Sequence, residues 1–344
     1  FEAGIESQWV NGRIKLDVTY YTRRSFDQIA NLTLPDESGF TSFFTNFGEI
    51  SNEGVEIGLG LTPFRTSSGF IWDIYATFTH NKNVVVELIE GVEEIQLRQQ
   101  FFAQGASAVL RPGQEYGLLK GTVHDRDQDG NLLIDPANGQ MIQALEEEII
   151  GNPNPDFIAG LINTFTFKGF TLNAVFDWRQ GGDLFSNTIE SLLGRGVLAE
   201  TEDREINKII PGVYGDPNTH EPIRNENGQK IPNQTMVEVN TLWFGNTFAI
   251  NGANEWVTFD ATTFRLRELS LAYEFPRKLI ESTPFGSISL SVVGRNLWFS
   301  APIFPKSINF DPEINQFGST NTQGIEYGAT PSVRRFAVNL RVSF

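Results

Sequence analysis

The fold is decided by the last ten residues of the chain, RFAVNLRVSF at positions 335–344. Apolar residues take every second position of this segment, at Phe336, Val338, Leu340, Val342 and Phe344. A period of two places alternate side chains on opposite faces of a β-strand. One face is then apolar and the other polar, which is typical of a membrane strand between lipid and a polar lumen.

The same alternation recurs upstream in segments 14–21, 55–61, 70–78 and 170–179. Segments 157–168 and 255–275 alternate less regularly, and in the second the apolar positions change parity near Arg267. Taken together, these patterns predict nine strands. The predicted strands lie near 2–10, 13–30, 45–61, 69–82, 155–168, 170–180, 255–275, 287–299 and 332–344.

The connections between these strands alternate between short and long. Asn11-Gly12 is a dipeptide that favours a two-residue hairpin turn, and Lys168-Gly169 is equally short. The long connections fall at about 31–44, 83–154, 181–254 and 300–331. Short turns at one rim and long loops at the other are typical of an outer-membrane β-barrel with its C-terminus on the periplasmic side.

The sequence therefore predicts an all-β fold in which residues 1–344 form one barrel domain. Bacterial barrels of this kind have even strand numbers, so nine antiparallel strands are an incomplete set. We expect the chain to be the C-terminal part of a larger transmembrane barrel. The remaining N-terminal half of that barrel is then a partner, together with outer-membrane lipid.

Composition narrows the possible functions. A formal charge of -16 argues against a nucleic-acid partner, since phosphate binding needs clustered Lys and Arg. The chain has no cysteine and no G-x-S-x-G motif, and its three histidines are widely spaced, so an enzyme is not expected. A soluble β-sandwich lectin is an alternative fold, but it would not need detergent.

The long connections contain features of their own. Residues 187–195 and 202–210 are predicted to form short helices. A candidate calcium loop begins at Asp125, with Asp127, Asp129 and Asn131 at alternate positions and Gly130 between the last two. The twelfth position, where that motif places a bidentate glutamate, is Pro136, so a solvated acidic turn is the alternative.

Several motifs, in this order, resemble the SusC/RagA family of TonB-dependent transporters from Bacteroidetes. The resemblance covers nearly the whole chain, and each motif is modest alone while the ordered set is specific. The motifs are NFGEISNEGVE at 46–56, IGNPNPDF at 150–157, RQGGDLF at 179–185, LRELSLAY at 266–273, GRNLW at 294–298 and DPE at 311–313.

The resemblance implies a 22-stranded barrel with an N-terminal plug that is absent from this sequence. It also implies import of oligosaccharides or peptides, energised by the TonB complex through the missing N-terminal part, with a SusD-like surface lipoprotein as partner. Candidate substrate contacts are Arg179, Trp243 and Phe244, the last two stacking on a sugar or packing on a partner protein. The alternative function is a transporter-like barrel recruited as a scaffold in a larger outer-membrane assembly.

Overall fold

The computed structural model describes residues 1–33, 39–40, 42–46, 48–98, 105–244, 253–304, 308, 311–314 and 322–344. Its largest element is a nine-stranded antiparallel sheet, as the sequence predicted, in which each strand pairs with its neighbours in chain order. The nine strands are β1 (Glu2–Trp9), β2 (Ile14–Ser25), β3 (Gly48–Arg65), β4 (Ile71–Leu88), β5 (Phe157–Phe167), β6 (Phe170–Gln180), β7 (Thr263–Glu274), β8 (Ser287–Ser300) and β9 (Arg335–Ser343).

The short connections show why these strands form hairpins. Phe167 pairs with Phe170, so Lys168 and Gly169 form a two-residue turn with φ values of 46° and 85°. Positive φ at both central residues gives the twist that an antiparallel hairpin needs. The turn around Asn11-Gly12 is wider than predicted, because Trp9 pairs with Ile14 and leaves four residues, 10–13, in the loop.

The parity change near Arg267 is a β-bulge. Against β6, β7 carries one extra residue, Arg267, because Phe176 pairs with Leu266 and the adjacent Val175 pairs with Glu268. An extra residue at a bulge turns the following side chains to the other face. Arg267 consequently contacts Asp177, the residue that pairs with Arg265, so the bulge gathers charged side chains on the polar face.

The sheet has no core of its own, because its apolar face is open. Leu271, Phe336 and Phe344 expose 48%, 74% and 91% of their area. Aromatic rings contact one another across neighbouring strands on this face, as in the stacked pair Trp72 and Phe165, whose centroids lie 5.5 Å apart. Such a face needs lipid, since burial of apolar area is worth roughly 25 cal/mol per Å². Within the described residues, no helix is long and apolar enough to cross a membrane.

Most buried apolar residues lie in the long connections, which fold into small sheets and helices, and a few at strand ends, such as Ile50 and Val85, pack against them. The strands there are Ile29–Thr33, Ser42–Asn46, Ile95–Arg98, Ser107–Leu110, Leu118–Gly121, Leu133–Ile134, Glu148–Gly151, Asp183–Ser186, Asn207–Ile209, Val213–Tyr214, Met236–Glu238, Thr258–Asp260 and Ile325–Glu326. The α-helices are Asn187–Gly194, Val239–Phe244 and Arg277–Ile280, and the 3₁₀-helices are Ala199–Thr201 and Asn254–Val257.

One of the two predicted helices is present and the other is wrong. Asn187–Gly194 is helical, and the Ser186 hydroxyl caps its N-terminus by accepting a hydrogen bond from the Ile189 backbone N–H. The predicted helix at 202–210 is replaced by a strand, Asn207–Ile209, which pairs with Met236–Glu238. Tertiary pairing with a distant segment outweighs the weak helix propensity there.

The open face gives a test of membrane exposure. Replacing Leu269 by Arg puts a charge on the apolar face, while Ser270→Arg puts the same charge on the polar face of the same strand. Near the bilayer centre, an arginine on the lipid face destabilises a barrel by roughly 2–4 kcal/mol. We expect Leu269→Arg to lower the unfolding midpoint in urea, measured in lipid vesicles, far more than Ser270→Arg. Equal effects would contradict the assignment of the two faces.

Candidate functional site

Three long connections meet at one end of the sheet and form a folded layer, which we call the rim layer. It comprises the described residues of 89–156, 181–262 and 301–334. A shared apolar core holds the three together, with Leu119 from the first connection, Phe185 and Val257 from the second and Phe304 from the third. Because each connection contributes to one core, the layer is a built structure rather than three separate loops.

The segment Ile150–Phe157 ties this layer to the barrel wall through asparagines. The Asn154 side chain accepts a hydrogen bond from Asn83 Nδ2 of β4 (3.1 Å) and donates to the Tyr116 carbonyl (3.0 Å). The Asn152 backbone N–H donates to Asp183 Oδ2 (2.7 Å), and its side chain donates to Glu115 (2.9 Å). Three chain segments thus converge on two residues of the N-P-N motif.

Close packing around Pro153 completes this junction. Gly182 has a φ of 81°, and a Cβ there would lie 2.9 Å from the Pro153 carbonyl oxygen and 2.6 Å from Arg179 Nη2. Gly324 has a φ of 73°, and its Cβ would lie 2.5 Å from Pro153 Cβ. Only glycine fits both the backbone conformation and the space at these two positions.

Arg179 lies beneath this junction. Its Nη2 donates to the Pro153 carbonyl at 2.7 Å, and its Nε is buried with no hydrogen-bond partner among the described residues. The arginine therefore positions the segment that enters β5. Its predicted role in substrate contact stays a prediction.

Trp243 and Phe244 are the last two residues of the helix Val239–Phe244 in the rim layer. Their side chains lie outside the described residues. Their proposed contact with a sugar or a partner protein stays a prediction.

The candidate calcium loop is an internally bonded turn. Lys230 Nζ donates to Asp127 Oδ2 and Asp129 Oδ2, each at 2.6 Å. Asn131 donates to both carboxylate oxygens of Asp127, while Asp125 turns away and contacts His220 Nδ1 at 2.6 Å. Burial opposes ionisation of Asp127, but these hydrogen bonds outweigh it and hold its pKa well below the usual range.

No group of three or more candidate metal ligands converges within the described part of the chain. Calcium binding stays a prediction, and in this arrangement a cation would have to displace the Lys230 ammonium.

Two charged clusters were not predicted from the sequence. Arg265 and Asp311 form an ion pair that is almost completely buried. Arg267 bridges Asp177 on β6 at 2.7 Å and also contacts Glu313. The signal was present as Arg265-x-Arg267 and Asp311-x-Glu313, two pairs with matched spacing, but they stand 46 residues apart and no local rule joins them. Together they fasten the connection 301–334 to the barrel wall.

A third charged cluster lies in the rim layer itself. Glu255 accepts hydrogen bonds from the His124 backbone N–H (2.8 Å) and from Arg126 Nη1 (3.2 Å). Burial alone would raise the pKa of Glu255, but these contacts outweigh it and lower the pKa to about 2.

Two further acids lie buried in the layer. Glu326 accepts hydrogen bonds from the hydroxyls of Ser186 and Thr188, both at 2.6 Å. Glu190 is only 3% exposed, and its side chain accepts one hydrogen bond, from Asn187 Nδ2. Burial raises the pKa of Glu190 to about 7, despite that hydrogen bond. The first turn of the helix Asn187–Gly194 therefore carries a group that titrates near neutral pH.

Comparison with known proteins agrees with this architecture, although no family model matches the chain. TonB-dependent receptors P3 and P26 of Formosa agariphila are 27% and 25% identical to it, and both alignments cover 100% of the chain. TonB-dependent receptor SusC of Bacteroides thetaiotaomicron is 23% identical over 49% of the chain. The chain spans 34% of the P3 and P26 sequences and 18% of SusC.

Solved structures show the same fold. The structure of the RagAB peptide transporter matches with a TM-score of 0.65 at 18% identity, and the match covers 100% of this chain and 35% of the matched transporter chain. The RagAB peptide importer in its closed-closed state matches with a TM-score of 0.66 at 19% identity and the same coverage.

The nine-stranded sheet and these relatives define a portion of an outer-membrane β-barrel. More specifically, the similarity to these relatives supports the C-terminal portion of a SusC/RagA-like TonB-dependent receptor. The relatives are named as receptors and transporters rather than as enzymes.

The buried Glu190 predicts a pH-dependent rim layer. Its folded-state pKa of about 7 lies above its ordinary value of 4.5, so its favourable contribution is complete below about pH 4.5 and is lost as pH rises through 7. Glu190→Gln should therefore protect the amides of residues 187–194 from hydrogen exchange at pH 8 but not at pH 4.5. At pH 8 the free energy of local opening, obtained from the exchange rates, should rise by roughly 1–3 kcal/mol. Glu200→Gln, at an exposed neighbour, is the control, and equal gains at both pH values would refute the role of Glu190.

The acidic turn predicts competition between lysine and calcium. Lys230→Met removes the ammonium that neutralises Asp127 and Asp129. We expect calorimetry to detect calcium binding more readily in this variant than in the parent protein, because two carboxylates then lack a counter-charge. Lys208→Met, an exposed lysine elsewhere in the rim layer, is the matched control. No calcium binding by the Lys230 variant at millimolar concentration would exclude the site.

Proposed function

We propose that the protein containing this chain is the barrel subunit of a TonB-dependent importer for oligosaccharides or peptides. The observation that carries this proposal is a cross-braced rim layer at one end of a barrel wall whose relatives are TonB-dependent receptors. Residues that select ligands concentrate in connections held by a rigid scaffold. The C-terminal residue, Phe344, lies at the opposite end of the sheet, which we assign to the periplasmic side.

A SusD-like surface lipoprotein is the proposed partner at the rim layer. One relative is a RagAB transporter, and this layer exposes an apolar patch. Val197, Ile206, Ile209 and Met236 expose 64%, 49%, 40% and 65% of their area, and Ile209 pairs directly with Met236. Clustered exposed apolar side chains support a protein-binding surface.

The other partners follow from the edges of the sheet. Strands β1 and β9 each pair with one neighbour within the sheet, so the second edge of each is open to the remaining part of the barrel. Energy would come from the TonB complex through that remaining part.

The exposed apolar patch of the rim layer can be tested by introducing charges into it. The double variant Ile209→Asp and Met236→Asp should prevent co-purification of a lipoprotein with the tagged full-length protein in mild detergent, because burying two carboxylates is costly. Leu279→Asp is the matched control, since Leu279 is 67% exposed but lies in the connection at the opposite rim. Two results together would favour the scaffold function instead. The unchanged protein would purify in a large assembly that contains no lipoprotein, and nutrient uptake by the cells would not depend on TonB.

A further inference from the structure

The pairing between strands β8 and β9 stops before β8 ends. The last pair between them is Arg295 with Arg335, yet β8 continues to Ser300 while it stays paired with β7. Pro331 lies in the segment that leads into β9, and a proline cannot donate to a ladder. Within the described residues, Asn296–Ser300 therefore has a β-strand edge with no ladder partner on one side.

A cavity of about 800 Å³ lies beside this free edge. Its volume falls in the range of ligand pockets, roughly 300–1,000 Å³. The walls are mainly apolar and come from three parts of the fold. They include Leu192, Trp298, Phe299, Ile308, Ile314 and Val333.

Apart from Arg334, the charged and polar side chains that line the cavity are already engaged. Arg265 is paired with Asp311, and the Thr188 hydroxyl donates to Glu326. The Asn296 side chain reaches the Val333 carbonyl at 3.4 Å. An occupant consequently finds satisfied polar groups and open apolar walls, which favours apolar side chains over a polyhydroxylated ligand.

The edge of this cavity is positively charged. Arg334 lines the cavity, and Arg335 follows it on β9, where it pairs in register with Arg295. Arg295 contacts Glu268 at 2.9 Å, whereas Arg334 and Arg335 form no ion pair among the described residues. Two arginines that lack an ion-pair partner in the part of the chain that the structure describes attract an acidic ligand.

We propose that this notch, formed by Asn296–Ser300, residues 329–334 and the cavity between them, binds an extended acidic peptide as cargo. The peptide adds as a short strand to the free edge of β8, and alternate backbone groups of the two chains share hydrogen bonds. Its apolar side chains enter the cavity, and its carboxylates pair with Arg334 and Arg335. This inference rests on the proposed import function and selects peptides from its two cargo classes.

The geometry favours a peptide over a lipid. A row of backbone N–H and C=O groups that has no partner among the described residues can be matched residue by residue only by another extended backbone. A lipid acyl chain could fill the cavity, and its phosphate could meet the arginines, but it would leave that row unpaired.

The test uses the full-length protein in detergent and an end-blocked, fluorescein-labelled pentapeptide, Glu-Val-Leu-Val-Asp. Fluorescence anisotropy should show saturable binding that weakens at least tenfold in the double variant Arg334→Glu and Arg335→Glu. Ala329→Trp, which fills the cavity, should weaken binding similarly. Arg341→Glu makes the same charge change on β9 away from the notch, opposite Ser289, and should change affinity less than twofold. Heat-modifiable migration on a gel confirms that each variant is folded.

Two results would overturn the proposal. The first is peptide affinity that neither the cavity-filling variant nor the arginine variant alters. The second is peptide displacement by phosphatidylglycerol micelles with the same dependence on Arg334 and Arg335, which would make the notch a lipid site. Because binding is measured at equilibrium without TonB, either result leaves TonB-dependent uptake, and so the proposed function, to be judged separately.

Discussion

The hydrogen-bonded ladder is the constraint on which the rest of the structure depends. In lipid, a backbone group without a partner is costly, so a membrane-spanning sheet must pair along its whole length. Within the sheet, nine strands meet this demand by pairing in chain order, and the outer edges of β1 and β9 are left for the remaining part of the barrel. This order sends short turns to one rim and long connections to the other. With lipid on one face and a polar lumen on the other, the wall cannot contain a core. Packing is therefore concentrated where the long connections meet.

The rim layer solves a second problem, which is how connections of this length keep one arrangement above an open wall. Apolar residues from three connections form a shared core, and the asparagines of the N-P-N motif fasten it to β4. Arg265 and Arg267 fasten the last connection to β7 through Asp311 and Glu313. Buried ion pairs contribute little net stability but strongly disfavour alternative arrangements, because separating one leaves an uncompensated charge. A rim held in this way presents a preformed surface, which the proposed binding of cargo and of a surface lipoprotein requires.

Much of the wall could be predicted from the residues alone. Alternation at Phe336, Val338, Leu340 and their counterparts upstream gave the strands, and the parity change near Arg267 marked a bulge that the structure contains. The helix at 187–194 carried its own capping signal in Ser186. By contrast, the interval 202–210 looked helical locally and became a strand, because its partner at 236–238 lies far along the chain. The Asp125 motif likewise gave no sign that Lys230, from a distant turn, sits between two of its carboxylates.

The sequence by itself determined which residues face lipid, which face the lumen and where the strands turn, since a period of two and the turn dipeptides are local properties of the backbone. Only the tertiary structure decided the rest. It brought Asn83 to Asn154 and Arg265 to Asp311, and it buried Glu190. It also stopped the pairing of β9 with β8 before the end of β8. These features join residues that are distant in sequence, and their chemistry depends on desolvation and geometry that exist only after the connections fold together.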